Sequence, residues 1–440
     1  MKPGEPGSAP LAPAGRIAPR DWMEAEATRA VIAALTSEGA EARFVGGCVR
    51  DAVLGRAVKD IDIATVELPE RVIALLQKAG IKTVPTGVAH GTVTAVIDEA
   101  RFEITTLRLD VETDGRHAKV AFTDDWARDA ARRDFTINAM FLAPDGKLFD
   151  PCRGLADLKE GRVRFVGDAH ERIAEDVLRL LRYFRFFAEF DRPPPDARAL
   201  SACKDLAGEL GKLSGERVRG ELMKLLTAPG AAAALEIMAE EGILPHVLPE
   251  ARAFARLAAL CAIEDATEAP GVSPDGLRRL ASVLDVDGAG AKAVAARLRL
   301  SNADADRLKA LAGRAGGLGP AADAKAVRRR LYRLGADIFR DLALIEWAGA
   351  KATDAGLPET ASDGYRAQLA TADSWITPSL PVGGEDVLAL GVGAGPALGA
   401  LLERIEAWWL DQDFGPDREA CLKRLRELVA ESGDEGEDQQ

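Results

Sequence analysis

The chain has 440 residues and 47% hydrophobic content, enough for two or three domains with cores of their own and too apolar for disorder. Its 57 basic and 70 acidic residues leave a formal net charge of −13, which excludes polyanion binding through bulk positive charge; any nucleic-acid site has to be a local patch. Aromatic residues make up only 5% while alanine runs throughout, so helices are expected to dominate.

Residues 1–20, rich in Pro, Gly and Ala with no apolar signal-like core, predict a flexible arm. From Asp21 to about Gly39 apolar residues recur at helical spacing, and the pattern then changes to short apolar runs cut by glycine: ARFVGG, KDIDIAT, GTVTAVID and RFEITTLR. These predict strands, with helices between them at Val49–Leu54 and Pro69–Ala79, the second opening on a first-turn proline. The polar stretch Asp110–Asp125 predicts a mobile loop. After Ala169 strand signals vanish, and amphipathic helices run to about Val429, broken by DRPPP and by GLGP near Gly316–Pro320. The closing GDEGEDQQ predicts a solvated acidic tail. The division expected is therefore an arm (1–20), an α+β head with a small β-sheet (21–165), a helical neck (166–250), a helical body and tail (251–428) and a disordered acidic end (429–440). Residues 1–190 hold 27 basic and 30 acidic residues against 30 and 40 in 191–440, so polyanion chemistry is expected in the first part.

The cysteines Cys48, Cys152, Cys203, Cys261 and Cys421 lie far apart with no CxxC pair, a pattern for a reducing, cytoplasmic compartment without a disulfide frame or structural zinc. His90, His117, His170 and His246 show no metal-ligand spacing. No run of about 18 apolar residues occurs, so no membrane span is expected.

Strand alternation puts Asp60 and Asp62 of KDIDI on one face, about 7 Å apart, where paired carboxylates can hold a hard cation such as Mg²⁺. A solvated strand face explains a lone DxD equally well. Upstream, Phe44-Val45-Gly46-Gly47-Cys48-Val49-Arg50 reads as strand, glycine turn and helix start; its free N–H groups and Arg50 suit a phosphate. Glu103, among apolar neighbours in a further strand, either completes the carboxylate set or lies on an edge. Asp129-Ala130-Ala131-Arg132-Arg133-Asp134, followed by Phe135-Thr136-Ile137-Asn138, concentrates polar groups beside an apolar helical face. Glu175–Arg185 reads as one helix with Asp176, Arg179, Arg182 and Arg185 three residues apart, a polar stripe that also suits an ordinary solvated face. GVGAGP at Gly391–Pro396 lacks the strand and GK[ST] context of a phosphate loop and reads as a turn into a helix.

Taken together, GGCVRD, KDIDIAT, FEITTLR, TDGRHAKVAFTDDWARDAARRDFTINAM and EDVLRLLRYFRF resemble the class II tRNA nucleotidyltransferase and poly(A) polymerase family. SGERVRGEL at Ser214–Leu222 is similar to the family's next motif, and GGEDVLALGVGAGPALGALLERIEAWW to its C-terminal segment; the likeness is thin between about 250 and 380. The resemblance implies a head of the DNA polymerase β type in which Asp60 and Asp62 bind two Mg²⁺ ions and Glu103 supports them. It further implies that Gly47, Arg50, Arg133 and Asp134 hold the nucleotide's phosphates and ribose, and that Asp176 and Arg179 read its base, with Arg182 and Arg185 in the same nucleotide-binding set. The expected activity is template-independent addition of C, C and A from CTP and ATP to tRNA 3′ ends; poly(A) addition, partial CC or A addition, and a silent RNA-binding protein are the alternatives. An aspartate acceptor beside an arginine donor matches the amino group and ring acceptor of cytosine and adenine and clashes with uracil and guanine, at roughly 1–3 kcal/mol per unsatisfied bond.

Overall fold

The structure, a computed structural model, describes residues 11–114, 117–190, 194–265, 268–269, 271–313, 318–354 and 356–437. They form two compact units, one running to Ala251 with Arg297–Arg299 and the other made of Arg252–Ala296 and Leu300 onward. Within the first unit the chain changes from sheet to helix after Phe149.

The first unit opens with β1 (Gly15–Arg16), α1 (Asp21–Glu24), α2 (Glu26–Thr36), β2 (Ala42–Val45), α3 (Gly47–Leu54), β3 (Ile61–Thr65) and α4 (Pro69–Lys78). It continues through β4 (Lys82–Gly87), β5 (Thr92–Ile97), β6 (Ala100–Thr106), β7 (Arg108–Asp114), β8 (His117–Phe122), α5 (Trp126–Ala131), β9 (Phe141–Leu142) and β10 (Lys147–Phe149). Eight strands form one sheet in the order β1-β10-β9-β2-β3-β6-β5-β4, in which only β3 and β6 run parallel. One face packs on α2 and α4, whose Val31, Leu35, Val72, Leu75 and Leu76 recur at helical spacing and are buried. Val45, Ala64, Trp126, Phe141 and Phe149 form a second cluster, and the Arg43 guanidinium lies over the rings of Trp126 and Phe149 at 4.1 and 3.8 Å.

Three expectations are corrected here. The arm is not free over its second half: Gly15–Arg16 pairs with Lys147–Leu148, which needs only backbone groups and leaves no side-chain pattern to read. Residues 1–10 lie outside the described residues. The polar stretch expected as a loop is an antiparallel hairpin of β7 and β8, separate from the main sheet, with residues 115–116 outside the described residues. The alternation of Leu109 and Val111 with Arg108, Asp110 and Glu112, and of Ala118 and Val120 with His117 and Lys119, was the strand signal that the high polar content of the stretch outweighed. The helix expected over Asp21–Gly39 breaks at Ala25, which has extended backbone.

The neck comprises α6 (Gly154–Glu160), α7 (Ala169–Glu175), α8 (Leu178–Phe190), α9 (Ala197–Asp205), α10 (Gly215–Thr227) and α11 (Ala231–Glu240). Asp168, Asp196 and Ser214 cap α7, α9 and α10 by accepting backbone N–H groups. The apolar face of α8, with Leu180, Leu181, Phe184 and Phe187, packs on α10 and α11. The remaining helices are α12 (Phe254–Glu264), α13 (Gly276–Val283), α14 (Gly288–Arg297), α15 (Asn302–Ala312), α16 (Ala324–Leu334), α17 (Ala336–Thr353), α18 (Glu359–Asp373), α19 (Gly384–Ala389), α20 (Pro396–Asp411) and α21 (Arg418–Glu437). In the second unit, Glu264 accepts from the buried Arg278 and Arg279, and Asp341 accepts from Arg278 and Arg307. Pro396 starts α20 directly after the glycine turn, as read from the sequence. The acidic end is helical as far as Glu437, because its residues continue α21; residues 438–440 lie outside the described residues.

Gly154 sits where α6 abuts the 3₁₀ turn Thr136–Asn138, and a Cβ there would lie 2.1 Å from the Thr136 carbonyl oxygen. Gly154→Ala is expected to destabilise the first unit by roughly 1–3 kcal/mol. A thermal melt checks this, and an unchanged midpoint would contradict the packing.

Candidate active site

The site is built outward from the edge between β2 and β3. The buried strand β2 delivers the chain to Gly46, whose φ of 76° and ψ of −132° suit glycine alone, and an added Cβ would stand 3.5 Å from Asp62 Oδ2. The backbone demand therefore falls on Gly46, not on Gly47, which is already helical. Asp60 lies in the bend just before β3 rather than within the strand, and Asp62 on β3 stands in parallel register with Glu103 on β6. Burial first, and then the charges of Glu103 and Asp60, push the Asp62 carboxyl up to about 6 against partial relief from Arg133. Among the described residues no group of three His, Cys, Asp or Glu is placed to hold a metal ion, and Glu103 acts on Asp62 through its charge.

Facing these acids is a set of arginines, each held by a carboxylate. Asp129 on α5 is fully buried; its oxygens accept from Arg133 Nη2 at 2.7 Å, Arg132 Nε at 2.8 Å and the Arg108 backbone N–H at 3.2 Å. Burial raises its pKa, but the two guanidiniums outweigh that and hold it below the ordinary carboxylate value. Asp134 behaves alike: against the cost of burial, Arg182 and the donors Phe135 N–H and Asn138 keep its pKa low. Arg182 Nε donates to Asp134 Oδ2 at 2.7 Å. Asp134 lines the cleft while its oxygens accept from Arg182, the Phe135 N–H and Asn138, so it holds Arg182 in place there. Arg50 donates to Asn138 Oδ1 at 2.9 Å and to Asp51, while Glu221 on α10 lies 3.1 Å from Arg185 and 3.8 Å from Arg182.

The single helix expected over Glu175–Arg185 is two. α7 ends at Glu175, Asp176 has extended backbone (φ −152°, ψ 105°), and its side chain accepts the Leu178 N–H at 3.1 Å to start α8. Asp176 is thus set apart from the stripe of Arg179, Arg182 and Arg185. Arg217 on α10 grips both its oxygens at 2.8 and 2.9 Å. Arg179 donates to the Arg172 carbonyl at 3.0 Å and pairs with Glu175 across the break, as the four-residue spacing predicted.

A cleft of about 600 Å³ brings together Gly47, Arg50, Asp60, Asp62, Arg133, Asp134, Asp176, Arg179, Arg182 and Arg185. Of the expected residues only Glu103 does not line it. Sequence reading missed Gly46, Arg132, Phe186 and Lys224 in the lining, and Asp129, Arg217 and Glu221 behind it. The spacing of Arg217, Glu221 and Lys224, at i, i+4 and i+7 on one helical face, was the signal available.

Two outcomes follow for the metal-free protein. Because the folded state binds more protons at Asp62 than the unfolded chain between about pH 4 and 6, this group's contribution to stability falls as pH rises through that window. Asp62→Asn is therefore expected to gain on the order of 1–3 kcal/mol at pH 7 and to lose that gain below about pH 4, read by urea denaturation in chelator. Asp129→Ala strands two guanidiniums and is expected to cost about 3 kcal/mol in the same measurement; a cost near zero would show that the arginines do not depend on it.

Comparison with known proteins places these features in a family. A model of the Poly A polymerase head domain matches residues 42–164, and one described as a probable RNA and SrmB- binding site of polymerase A matches 195–254. The mitochondrial CCA tRNA nucleotidyltransferase 1 of Mus musculus is 36% identical over 405 residues, covering 91% of this chain and 90% of the mouse protein. The CCA-adding enzyme of Leuconostoc mesenteroides is 39% identical over 236 residues, 52% of this chain and 57% of that protein. Among solved structures, the Bacillus stearothermophilus CCA-adding enzyme in complex with CTP superposes with a TM-score of 0.75 at 28% identity, covering 92% of this chain and 97% of that one. With a polymerase head, a helical remainder and similarity along nearly its whole length, the chain belongs to the CCA tRNA nucleotidyltransferase family.

Proposed function

We propose that this protein adds CMP and AMP from CTP and ATP to the 3′ end of tRNA, with Asp60 and Asp62 as metal ligands and Asp176 and Arg179 as the readers of the incoming base. The observation that carries the reading is the single cleft in which two carboxylates at the sheet edge face a row of held arginines. The donor set fits divalent metal: two carboxylates without a third converging side chain suit Mg²⁺, which keeps waters and takes phosphate oxygens. When bound, such ions supply acidification of the attacking hydroxyl and neutralisation of the departing pyrophosphate. Arg133, Arg50 and the N–H groups at the start of α3 hold the triphosphate in line. In that alignment the RNA 3′-oxygen bonds to the α-phosphorus, the bond from that phosphorus to the bridging oxygen breaks, pyrophosphate leaves and the hydroxyl proton passes to solvent.

Asp176, fixed by Arg217, presents acceptors to the amino group of cytosine or adenine, and Arg179 presents donors to the ring nitrogen. The CTP complex of the Bacillus relative supports this reading of the cleft. For tRNA, we assign the grip to the helical second unit, where Arg329, Arg330 and Arg333 of α16 line a cavity of about 400 Å³, through backbone and shape contacts with the A-form arm. For compartment, five free cysteines support a reducing one. The mitochondrial name of the mouse relative gives no backing to the cytoplasm in particular.

The test is extension of a tRNA lacking its 3′ CCA, resolved at single-nucleotide length with Mg²⁺ and each nucleotide set. Three additions ending in A are expected when CTP and ATP are both present. A ladder of A on any RNA would make it a poly(A) polymerase, additions stopping after CC would make it a partial enzyme, and no extension would contradict the reading. Asp60→Ala and Asp62→Ala are expected to abolish extension with the melting curve retained. Asp176→Ala is expected to narrow the preference for CTP over UTP by roughly 1–3 kcal/mol, about 10- to 100-fold.

A further inference from the structure

Two cavities meet at the catalytic carboxylates. The first is the cleft described above; the second, of about 490 Å³, also reaches Asp60 and Asp62 but extends to Arg56, Lys59 and Thr227 instead of Asp176 and Arg179. Its volume falls within the ~300–1,000 Å³ of single-ligand sites. Arg185, lying over Phe186 at 4.1 Å, and Lys224 line both.

The charges in the two cavities differ in kind. In the first, the arginines are held by carboxylates. In the second, Arg56 is committed to Glu189 and Arg50 to Asp51, whereas Lys59 and Lys224 are exposed and have no hydrogen bond or ion pair among the described residues. Lys59 immediately precedes Asp60, and Lys224 lies on the face of α10 that already presents Arg217 and Glu221. Lys59 therefore presents an uncommitted ammonium group to the carboxylates in the second cavity alone, and Lys224 presents another where the two cavities join.

Transfer needs two polyanions at one pair of carboxylates, and the triphosphate is served by the arginines of the first cavity. We propose that the second cavity seats the 3′-terminal nucleotide of the RNA acceptor, with Lys59 and Lys224 pairing with the last phosphates of its backbone. This rests on the function proposed above. Lysine suits the task, because a flexible point charge can follow a strand end that moves back by one nucleotide after each addition. Arginine in a fixed fork suits a triphosphate that must be held in line.

The test compares Lys59→Gln, Lys224→Gln and the double variant with the wild type on tRNA lacking CCA, with Lys→Arg at each position as the charge-keeping control. The expected result is a KM for tRNA raised about 3- to 10-fold per lysine. The slope of log(kcat/KM) for tRNA against log salt should be shallower by about 0.7 per lysine. Equilibrium affinity of the Lys59→Gln variant for CTP without RNA should stay unchanged, since Lys59 lines the second cavity and not the first, and the arginine variants should restore the tRNA KM. Unchanged tRNA KM and salt slope in glutamine variants of an active wild type would overturn the cavity assignment alone. Weakened CTP binding in Lys59→Gln would overturn it too, giving that lysine to the triphosphate. A wild type that extends no RNA would overturn the function and this assignment together.

Discussion

The cleft depends on buried and half-buried carboxylates that hold arginines facing a common space. Arg50, Arg132, Arg133, Arg179, Arg182 and Arg185 would repel one another and collapse onto any available acid if left alone. Asp51, Asp129, Asp134, Glu175 and Glu221 each take part of a guanidinium's donor face and leave the rest directed outward. Phe186 adds a surface beneath Arg50, Arg182 and Arg185, at 5.2, 5.6 and 4.1 Å from their guanidinium carbons. Asp60, Asp62 and Glu103 are treated in the opposite way. Only Arg133 partly relieves Asp62, and its carboxyl is held high as a result. Cations held in place on one side and acids left in excess on the other are what a nucleoside triphosphate accompanied by divalent metal requires.

The fold serves that separation. The one parallel pairing in the main sheet aligns Asp62 with Glu103, and the glycine at the end of β2 lets the start of α3 approach them. The arginines come from both parts of the first unit: Arg50 lies on α3 and Arg132 and Arg133 just after α5, and α8 carries Arg179, Arg182 and Arg185 while its apolar face packs on α10, so the neck is as much a part of the cleft as the sheet. The break at Asp176 gives one carboxylate an orientation that a helical stripe cannot, and Arg217 fixes it. The side chain proposed to read the base is thus restrained both by its own capping bond and by Arg217 Nη2, which reaches both of its oxygens.

Much of this was legible in the residues themselves. Alternation marked β2, β3, β5 and β6, the DxD and glycine turn marked the carboxylate edge, and the loss of strand signals after Ala169 marked the helical remainder. What was not legible has physical reasons. β1 is held by backbone pairing that leaves no apolar trace, and the short alternation of Leu109, Val111, Ala118 and Val120 in the β7–β8 hairpin was outweighed by the many polar residues around it. The break at Asp176 arises because a side chain competes with the helix for a backbone N–H, which periodicity does not register. Asp176 and Arg217 are 41 residues apart and Asp134 and Arg182 are 48 apart, so their pairing is a product of tertiary packing and no spacing rule announces it. The bond from Arg182 to Asp134 is invisible in the sequence for the same reason.

The central claim, that protein side chains take the place of a template, is tested most directly by equilibrium binding of the four ribonucleoside triphosphates to the RNA-free protein with Mg²⁺. The account predicts that CTP and ATP bind with similar affinity and that UTP and GTP bind at least about 10-fold more weakly, the cost of one unsatisfied buried bond. Equal affinity for all four would contradict it, and would move the choice of base from Asp176 and Arg179 to the RNA.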